Sequence, residues 1–333
     1  MEASWQRKLR RFLESCPPEL RGDFCSYWRR LGEIGAPGGA PESPRHPAYW
    51  LALPGWLAIH FARSDSRFHP GTDRLLEDVL WGQYALFVAL RMQDDLFDRQ
   101  ADSRSLIFAP DLFIAESAKC FAGLCGDIPA FWDLYGDCTA RTVRAILEVE
   151  ILQKAGECPV DALLEKYAEV NSIFKVGSAA VCLLADGFDQ FSAVSQFCDE
   201  IAKVAQIYDD IEDVTADLAD GRMNYVARRI GLSVGDQLDE ADLLAKIESW
   251  LHDEVKTMRL VSEMRIHIAC AEEAIAPLNL PGVNAYCRRE WQAVDVVEQT
   301  LLTSSAIAIR NELFRPGGIV ALLSRPALPV WTV

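Results

Sequence analysis

The sequence predicts an all-α protein. Apolar residues recur at three- and four-residue spacing through several long segments, as on the buried face of an amphipathic helix. No convincing alternating run bounded by hairpin turns is found, so strands are not expected. Proline and glycine fall mainly between the periodic segments, where they end one helix before the next begins.

The predicted elements divide the chain unequally. Two short helices and a Gly- and Pro-rich stretch at 35–47 are predicted to form an N-terminal helical extension and linker, residues 1–47. The N-terminal helical part, about 34 residues, is too short to build a core alone, so residues 48–333 are expected to form one all-α domain. The long helical segments predicted there are Leu75–Leu96, Val143–Leu152, Leu163–Leu184, Phe197–Leu218 and Asn284–Leu313.

Composition narrows the function classes. The 333 residues are 50% hydrophobic and 25% charged, which is typical of a globular protein. A net charge of −16 argues against binding to nucleic acid or to an anionic membrane surface. The ten cysteines include no C-x-x-C pair and no secretory signal is seen, so free thiols and a cytoplasmic location are expected. The most apolar stretch, near residues 50–62, is too short to span a membrane.

Two acidic clusters carry the chemistry. Each contains Asp-Asp-x-x-Asp near the end of an apolar helical segment: Asp94, Asp95 and Asp98 in the first, and Asp209, Asp210 and Asp213, followed by Asp217, in the second. Carboxylates three or four residues apart share a helix face, and their repulsion costs a few tenths of a kcal/mol per pair. A bound hard cation such as Mg2+ would reverse that cost.

A solvated acidic face is the alternative interpretation of each cluster. Against it, the residues one and two turns before Asp94 are Leu90 and Leu86, and those before Asp209 are Ala205 and Ala202. The carboxylates thus continue apolar faces, where isolated charges would be costly to bury. We therefore expect them to line a cavity that holds compensating charge.

Two such motifs in an all-α chain resemble the class I isoprenoid synthases, the superfamily of trans-prenyl diphosphate synthases and class I terpene synthases. Asp94, Asp95 and Asp98 match its first motif, and Asp209, Asp210 and Asp213 match its second. The stretch AQIYDDIEDVTADLADGRMNY resembles the second-motif region through Gly221-Arg222, and Phe174-Lys175-Val176-Gly177 resembles a lysine-containing diphosphate contact. The likeness is clearest over about residues 75–235.

The resemblance implies a single bundle around a central cavity, with the two motifs facing each other across its mouth, and a homodimer. It implies Mg2+, as three ions, held by the aspartates of both clusters including Asp217. Lys175 and Arg222 would bind the diphosphate. The other predicted substrate-binding residues are Phe87, Leu90, Phe174, Gln206 and Tyr208. For the aromatic residues the alternative is plain core packing; for Lys175 and Arg222 it is a solvated charge.

The implied reaction is loss of diphosphate from an allylic prenyl diphosphate. Ala89 and Leu90, just before the first cluster, are not aromatic, which favours a C15 or C20 substrate over C10. The Gly-Gly-Lys-Arg and Arg-Arg-Gly motifs of chain-elongating synthases are missing: Gly38-Gly39 is followed by Ala40-Pro41, and Arg99 and Arg104 are separated. Cyclisation or quenching of the cation, as in a terpene synthase, is therefore favoured.

Two alternatives stay open. One is a trans-prenyltransferase that elongates a prenyl diphosphate with isopentenyl diphosphate or joins two prenyl diphosphates. The other is a non-catalytic partner subunit, against which both acidic clusters are intact.

Overall fold

A computed structural model describes residues 4–30, 49–62, 73–97, 104–155, 159–232 and 253–302, with a few single positions between 242 and 250. These residues are helical or lie in short turns, and none of them forms a strand. The predicted all-α class is therefore confirmed. Among the described helices, none is long and apolar enough to cross a membrane.

The described residues form twelve α-helices of known bounds. They are α1 (Ser4–Ser15), α2 (Pro18–Arg30), α3 (Tyr49–Ala62), α4 (Asp73–Phe97), α5 (Ala109–Cys125), α6 (Pro129–Lys154), α7 (Val160–Val170), α8 (Val176–Leu184), α9 (Phe191–Ala219), α10 (Tyr225–Arg229), α11 (Glu254–Ile275) and α12 (Pro281–Leu302). Short 3-10 turns lie at Arg104–Phe108, Asn171–Lys175, Phe188–Gln190 and Ala276–Leu278.

The predicted helices agree with α4 and α9 to within a few residues, but the segment Leu163–Leu184 is not one regular helix. A 3-10 turn at Asn171–Lys175 separates α7 from α8. The Asn171 side-chain amide donates to the Tyr167 carbonyl, 3.0 Å away, and so holds the end of α7. The spacing of apolar residues does not reveal this break between the two helices, because the residues on both sides of the turn are buried. The end of the last predicted segment, 303–313, lies outside the described residues.

The chain divides into two compact units. Unit 1 takes in Met1–Cys138 and Ile173–Ser192; unit 2 takes in Thr139–Ser172 and Ala193–Val333. The first acidic cluster belongs to unit 1 and the second to unit 2.

In unit 1 the N-terminal helices pack against α4 and α5. The Phe12 ring lies 6.0 Å from Trp81 of α4 and 4.5 Å from Phe113 of α5. Phe24 of α2 lies 5.2 Å from Phe113, and both Phe24 and Tyr27 are buried. The two N-terminal helices thus share the hydrophobic core of unit 1. The predicted boundary at residue 47 stays a prediction, because 31–48 lie outside the described residues.

In unit 2 a polar network centred on the buried Lys203 joins α7, α9 and α11. Lys203 of α9 is buried and donates to Glu165 of α7 at 2.6 Å and to Glu200 at 3.1 Å. Glu200 also forms a 2.6 Å hydrogen bond with His267 of α11. Burial alone would lower the pKa of Lys203, but its two carboxylate partners raise it above the ordinary value. The buried charge is therefore compensated, as buried ions require.

Candidate active site

The first acidic cluster lies in the last turn of α4. The C-terminus of a helix carries partial negative charge, so carboxylates there are unfavourable without a cation. Arg91, one turn earlier, supplies one: its guanidinium lies 3.1 Å from Asp95 and 3.9 Å from Asp94. Asp98, the third member of the predicted motif, lies outside the described residues.

Within this cluster Asp95, rather than Asp94, continues the buried face of α4. The Asp95 side chain is 5% exposed, whereas that of Asp94 is 46% exposed. Asp95 follows Met92 and Val88, both fully buried, at spacings of three and seven residues. Asp94 is half-buried, as are Phe87 and Leu90 of the stripe on which it was expected to lie. Asp95 also accepts a hydrogen bond from the Tyr27 hydroxyl of α2, at 2.6 Å.

The predicted lysine lies where the 3-10 turn at 171–175 passes into α8. Lys175 is buried, at 4% exposure, and directly precedes the first residue of α8. Gln83 of α4 holds this turn: its side-chain oxygen accepts from the Gly177 backbone N–H at 2.6 Å. A Cβ at Gly177 would lie 2.9 Å from that oxygen and 3.3 Å from the Gln83 Cβ, so a larger residue there would displace the Gln83 side chain from its hydrogen bond. Sequence reasoning missed Gln83, which is wholly buried.

The predicted aromatic residues Phe87 and Phe174 come together in unit 1. Their ring centroids are 6.0 Å apart, and Trp50 of α3 lies against both, 4.7 Å from Phe87 and 5.0 Å from Phe174 in a stacked arrangement. Phe87 is seven residues before Asp94, on the same side of α4. Leu90, which lies between Phe87 and Asp94 in the sequence, is half-buried, and Ala89 is buried. Trp50 was not predicted, since a lone aromatic on an apolar helix has no distinguishing pattern.

The second cluster lies in the interior of α9 and not at its end, which is Ala219. Asp209 is exposed and Asp213 half-buried, whereas Asp210 is 2% exposed. Asp210 follows Ile207 and precedes Val214, both fully buried. The expectation that Asp209 continues an apolar face is therefore wrong, because Ala205, one turn before it, is exposed.

Asp210 binds the protein itself through both carboxylate oxygens. One accepts from the Gln206 side-chain amide and the other from the Tyr225 backbone N–H, each at 2.6 Å. Burial raises the pKa of Asp210 well above its usual range, although these two hydrogen bonds act in the opposite direction. In this structure Gln206 and Asp210 therefore join α9 to the start of α10.

The turn between α9 and α10 holds the predicted arginine. Gly221 has a φ of 73°, the left-handed conformation that favours glycine, and Arg222 follows it. The Arg222 guanidinium lies 3.2 Å from both Asp217 and Asp220. Asn224 is fully buried and donates to the Asp217 carboxylate at 2.9 Å and to the Asp210 carbonyl at 3.0 Å.

Asn224 also caps α10, because its side-chain oxygen accepts from the Ala227 backbone N–H at 2.8 Å. Burial raises the pKa of Asp217, while Asn224 and then Arg222 act to lower it. Sequence reasoning missed Asn224. An asparagine just before a helix is a capping signal, but nothing local reveals its bonds back to α9.

Tyr208 is half-buried, and its hydroxyl has no hydrogen-bond partner among the described residues. Burial, then the negative charges of Glu290 and Asp295 on α12, raise the pKa of Tyr208 well above its usual range. An apolar packing role and a role toward a bound cation both fit this environment.

The side chains of the two acidic clusters offer the type of ligand atom that a hard divalent ion prefers. Asp94, Asp209 and Asp213 offer carboxylate oxygens at exposed or half-buried positions, and Asp209 and Asp213 are four residues apart on one face of α9. Within the described parts of the chain, which omit Asp98, no three His, Cys, Asp or Glu side chains are grouped so as to hold an ion. Asp210 and Asp217 have hydrogen-bond donors on their oxygens already.

Comparison with solved structures identifies the fold. The chain is similar to heptaprenyl diphosphate synthase from Staphylococcus aureus, with a TM-score of 0.62 and 12% identity over 89% of this chain and 96% of the other. It is also similar to octaprenyl pyrophosphate synthase from Helicobacter pylori, with a TM-score of 0.60 and 13% identity over 87% and 99% of the two chains. The protein thus has the all-α isoprenoid synthase fold. No protein-family model matches the sequence, and no curated protein matches it either.

Proposed function

We propose that this protein is an Mg2+-dependent enzyme that ionises an allylic prenyl diphosphate. The observation that carries the proposal is the pair of Asp-Asp-x-x-Asp clusters, each on a long helix of a fold shared with two prenyl diphosphate synthases. Each cluster presents a more accessible carboxylate, the half-buried Asp94 or the exposed Asp209, beside a buried one that accepts a hydrogen bond from the protein.

Asp94, Asp209 and Asp213, which are exposed or half-buried, would hold the metal together with the buried Asp95, whose Oδ1 has no hydrogen-bond partner among the described residues. Bound Mg2+ would neutralise the charge that develops on the leaving diphosphate. Lys175 and Arg222 would donate hydrogen bonds to its phosphate oxygens. Arg222 already lies between two carboxylates, so its charge is held near the second cluster before any substrate arrives.

The aromatic cluster of Trp50, Phe87 and Phe174 would receive the prenyl chain. An allylic cation must be kept from water, which would quench it. Aromatic faces stabilise a nearby cation by about 0.5–2 kcal/mol. The half-buried Leu90 leaves a non-aromatic position beside this cluster, which supports a C15 or C20 substrate.

The fate of the cation separates two versions of the proposal. The two solved structures compared above are prenyl diphosphate synthases, which supports transfer of the prenyl group to a second substrate. The missing Gly-Gly-Lys-Arg and Arg-Arg-Gly motifs support cyclisation or quenching instead, because they would bind the second diphosphate. We place prenyl transfer first and a terpene synthase second.

One panel of incubations distinguishes these outcomes. The purified protein is given Mg2+ and geranyl, farnesyl or geranylgeranyl diphosphate, each with and without isopentenyl diphosphate. Longer diphosphates made only with isopentenyl diphosphate support elongation, and a longer hydrocarbon or diphosphate from one substrate alone supports joining of two chains. A hydrocarbon or alcohol of unchanged carbon number supports the terpene synthase. No diphosphate release under any condition contradicts the proposed function and supports a partner subunit.

We further propose that the protein forms a homodimer through α6. Val143, Leu147 and Ile151 recur every four residues on one face and are 50%, 51% and 66% exposed. Arg144 and Glu150 lie three residues before and three residues after Leu147. A two-fold axis at Leu147 would therefore place Arg144 of one copy opposite Glu150 of the other. Leu147→Glu should yield a monomer by light scattering, whereas Ile266→Glu, at an isolated exposed residue of α11, should not. A Leu147→Glu protein that keeps the mass of the wild type contradicts this surface.

The cytoplasm is proposed as the location. The nine described cysteines are free thiols, which fits a reducing compartment; Cys158 lies outside the described residues.

A further inference from the structure

Helix α2 supplies a hydrogen-bond donor to the first acidic cluster. The Tyr27 hydroxyl donates to Oδ2 of Asp95 at 2.6 Å, across 68 residues of sequence. Tyr27 is 2% exposed and the Asp95 side chain 5% exposed, so the bond is shielded from water. An O–H donor to a carboxylate in such a place is among the stronger protein hydrogen bonds.

The position of that hydroxyl is set by the packing of α2. Phe24, one turn before Tyr27, lies 5.2 Å from Phe113 of α5. Asp23 accepts a hydrogen bond from the Ser105 hydroxyl, in the 3-10 turn that precedes α5. The donor is therefore held by contacts that do not involve Asp95 itself.

The other oxygen of Asp95, Oδ1, lies 3.1 Å from the Arg91 guanidinium of α4 but has no hydrogen-bond partner among the described residues. The hydrogen bond from Tyr27 is therefore the directional contact that sets the orientation of the Asp95 carboxylate. A carboxylate offers about four lone-pair sites, so each oxygen keeps acceptor capacity toward a cation.

We infer that Tyr27 is a positioning residue for the metal site: its hydroxyl sets the orientation in which Asp95 meets Mg2+. The inference rests on the proposed function, and it makes the N-terminal helix pair part of the active-site machinery. The alternative is a purely structural role, in which the Tyr27–Asp95 hydrogen bond only joins α2 to α4. Its loss would then lower stability without changing Mg2+ binding.

The test measures metal binding directly. Isothermal titration with Mg2+ in the presence of inorganic diphosphate is compared for wild type, Tyr27→Phe and Ser105→Ala, with urea unfolding of each. Ser105→Ala is the matched control, because it removes a polar contact between α2 and the turn before α5 and leaves Asp95 untouched. Tyr27→Phe should raise the Mg2+ dissociation constant roughly tenfold, the scale of a hydrogen bond to a charged group. Ser105→Ala should lower the unfolding midpoint with no change in that constant.

A second comparison removes the dependence on folding. Asp95→Asn and the double variant Tyr27→Phe with Asp95→Asn leave no unpaired buried charge, so both are expected to fold. If Tyr27 acts through Asp95, the two should bind Mg2+ equally. A further loss in the double variant, or a Tyr27→Phe protein with the wild-type dissociation constant, overturns the inference.

The two proposals fail differently. A wild-type protein that binds no Mg2+ contradicts the proposed function and with it this inference. A wild type that binds Mg2+ and releases diphosphate, with Tyr27→Phe equal to it in affinity, contradicts only the role of Tyr27.

Discussion

The two neighbouring aspartates of the second cluster should respond to the same substitution in opposite ways. Asp210→Ala leaves two donors without their acceptor, the Tyr225 backbone N–H and the Gln206 amide, at a site that is 2% exposed. An unsatisfied buried donor costs about 1–3 kcal/mol, and removing the buried carboxylate returns part of that. We therefore expect Asp210→Ala to lower the free energy of unfolding by about 2–4 kcal/mol.

Asp209→Ala removes an exposed side chain on the same helix. Surface substitutions of this kind usually change stability by less than about 0.5 kcal/mol, and relief of like-charge repulsion acts in the favourable direction. If Asp209 holds Mg2+ as proposed, diphosphate release should nevertheless nearly cease. Asp94→Ala, in the first cluster, should behave in the same way.

Asp210→Asn separates charge from hydrogen bonding. Its amide oxygen can still accept from the Tyr225 N–H, and the Gln206 amide can reverse to accept in turn. Urea unfolding should therefore place Asp210→Asn close to wild type. The reasoning is refuted if Asp210→Asn is as unstable as Asp210→Ala, or if Asp209→Ala loses as much stability as Asp210→Ala.

Three further outcomes are expected. Gly177→Ala should lower the free energy of unfolding by about 1–3 kcal/mol, because its Cβ would lie 2.9 Å from the Gln83 oxygen. Gly123→Ala is the control, since a Cβ there would meet nothing within 4 Å and should not destabilise the protein. Equal effects of the two substitutions on urea unfolding would contradict the close approach at Gly177. Leu90→Phe should shift preference toward shorter prenyl diphosphates at little cost in melting temperature, and a uniform loss on all substrates with a lowered melting temperature would instead indicate a packed core. Burial of Glu200 alone would raise its pKa, but its hydrogen bonds lower it overall, so its stabilising contribution is present above the unfolded-state pKa and is lost as pH falls below about 4. Glu200→Gln should remove that acid-dependent component from unfolding curves, and an unchanged pH profile would refute it.

Much of the fold followed from local pattern. The apolar spacing that predicts helices over Leu75–Leu96 and Phe197–Leu218 is confirmed by α4 and α9. Such spacing is sufficient because a helix that buries one face must repeat apolar residues along it. The 3-10 turn at Asn171–Lys175 could not be predicted this way, since the residues on both sides of it are buried and keep the helical spacing.

The sequence by itself determined the two Asp-Asp-x-x-Asp clusters and the chemistry that their oxygens favour, because spacing and residue type are local properties. Only the tertiary structure decided which aspartate of each pair is buried. Neighbouring residues on a helix differ by about 100°, and apolar residues at mixed spacings of three and four do not determine the centre of the buried face that finely. The partners that hold Asp95 and Gly177 lie 68 and 94 residues away, at Tyr27 and Gln83. No local pattern contains a contact that exists only after helices distant in sequence have packed together.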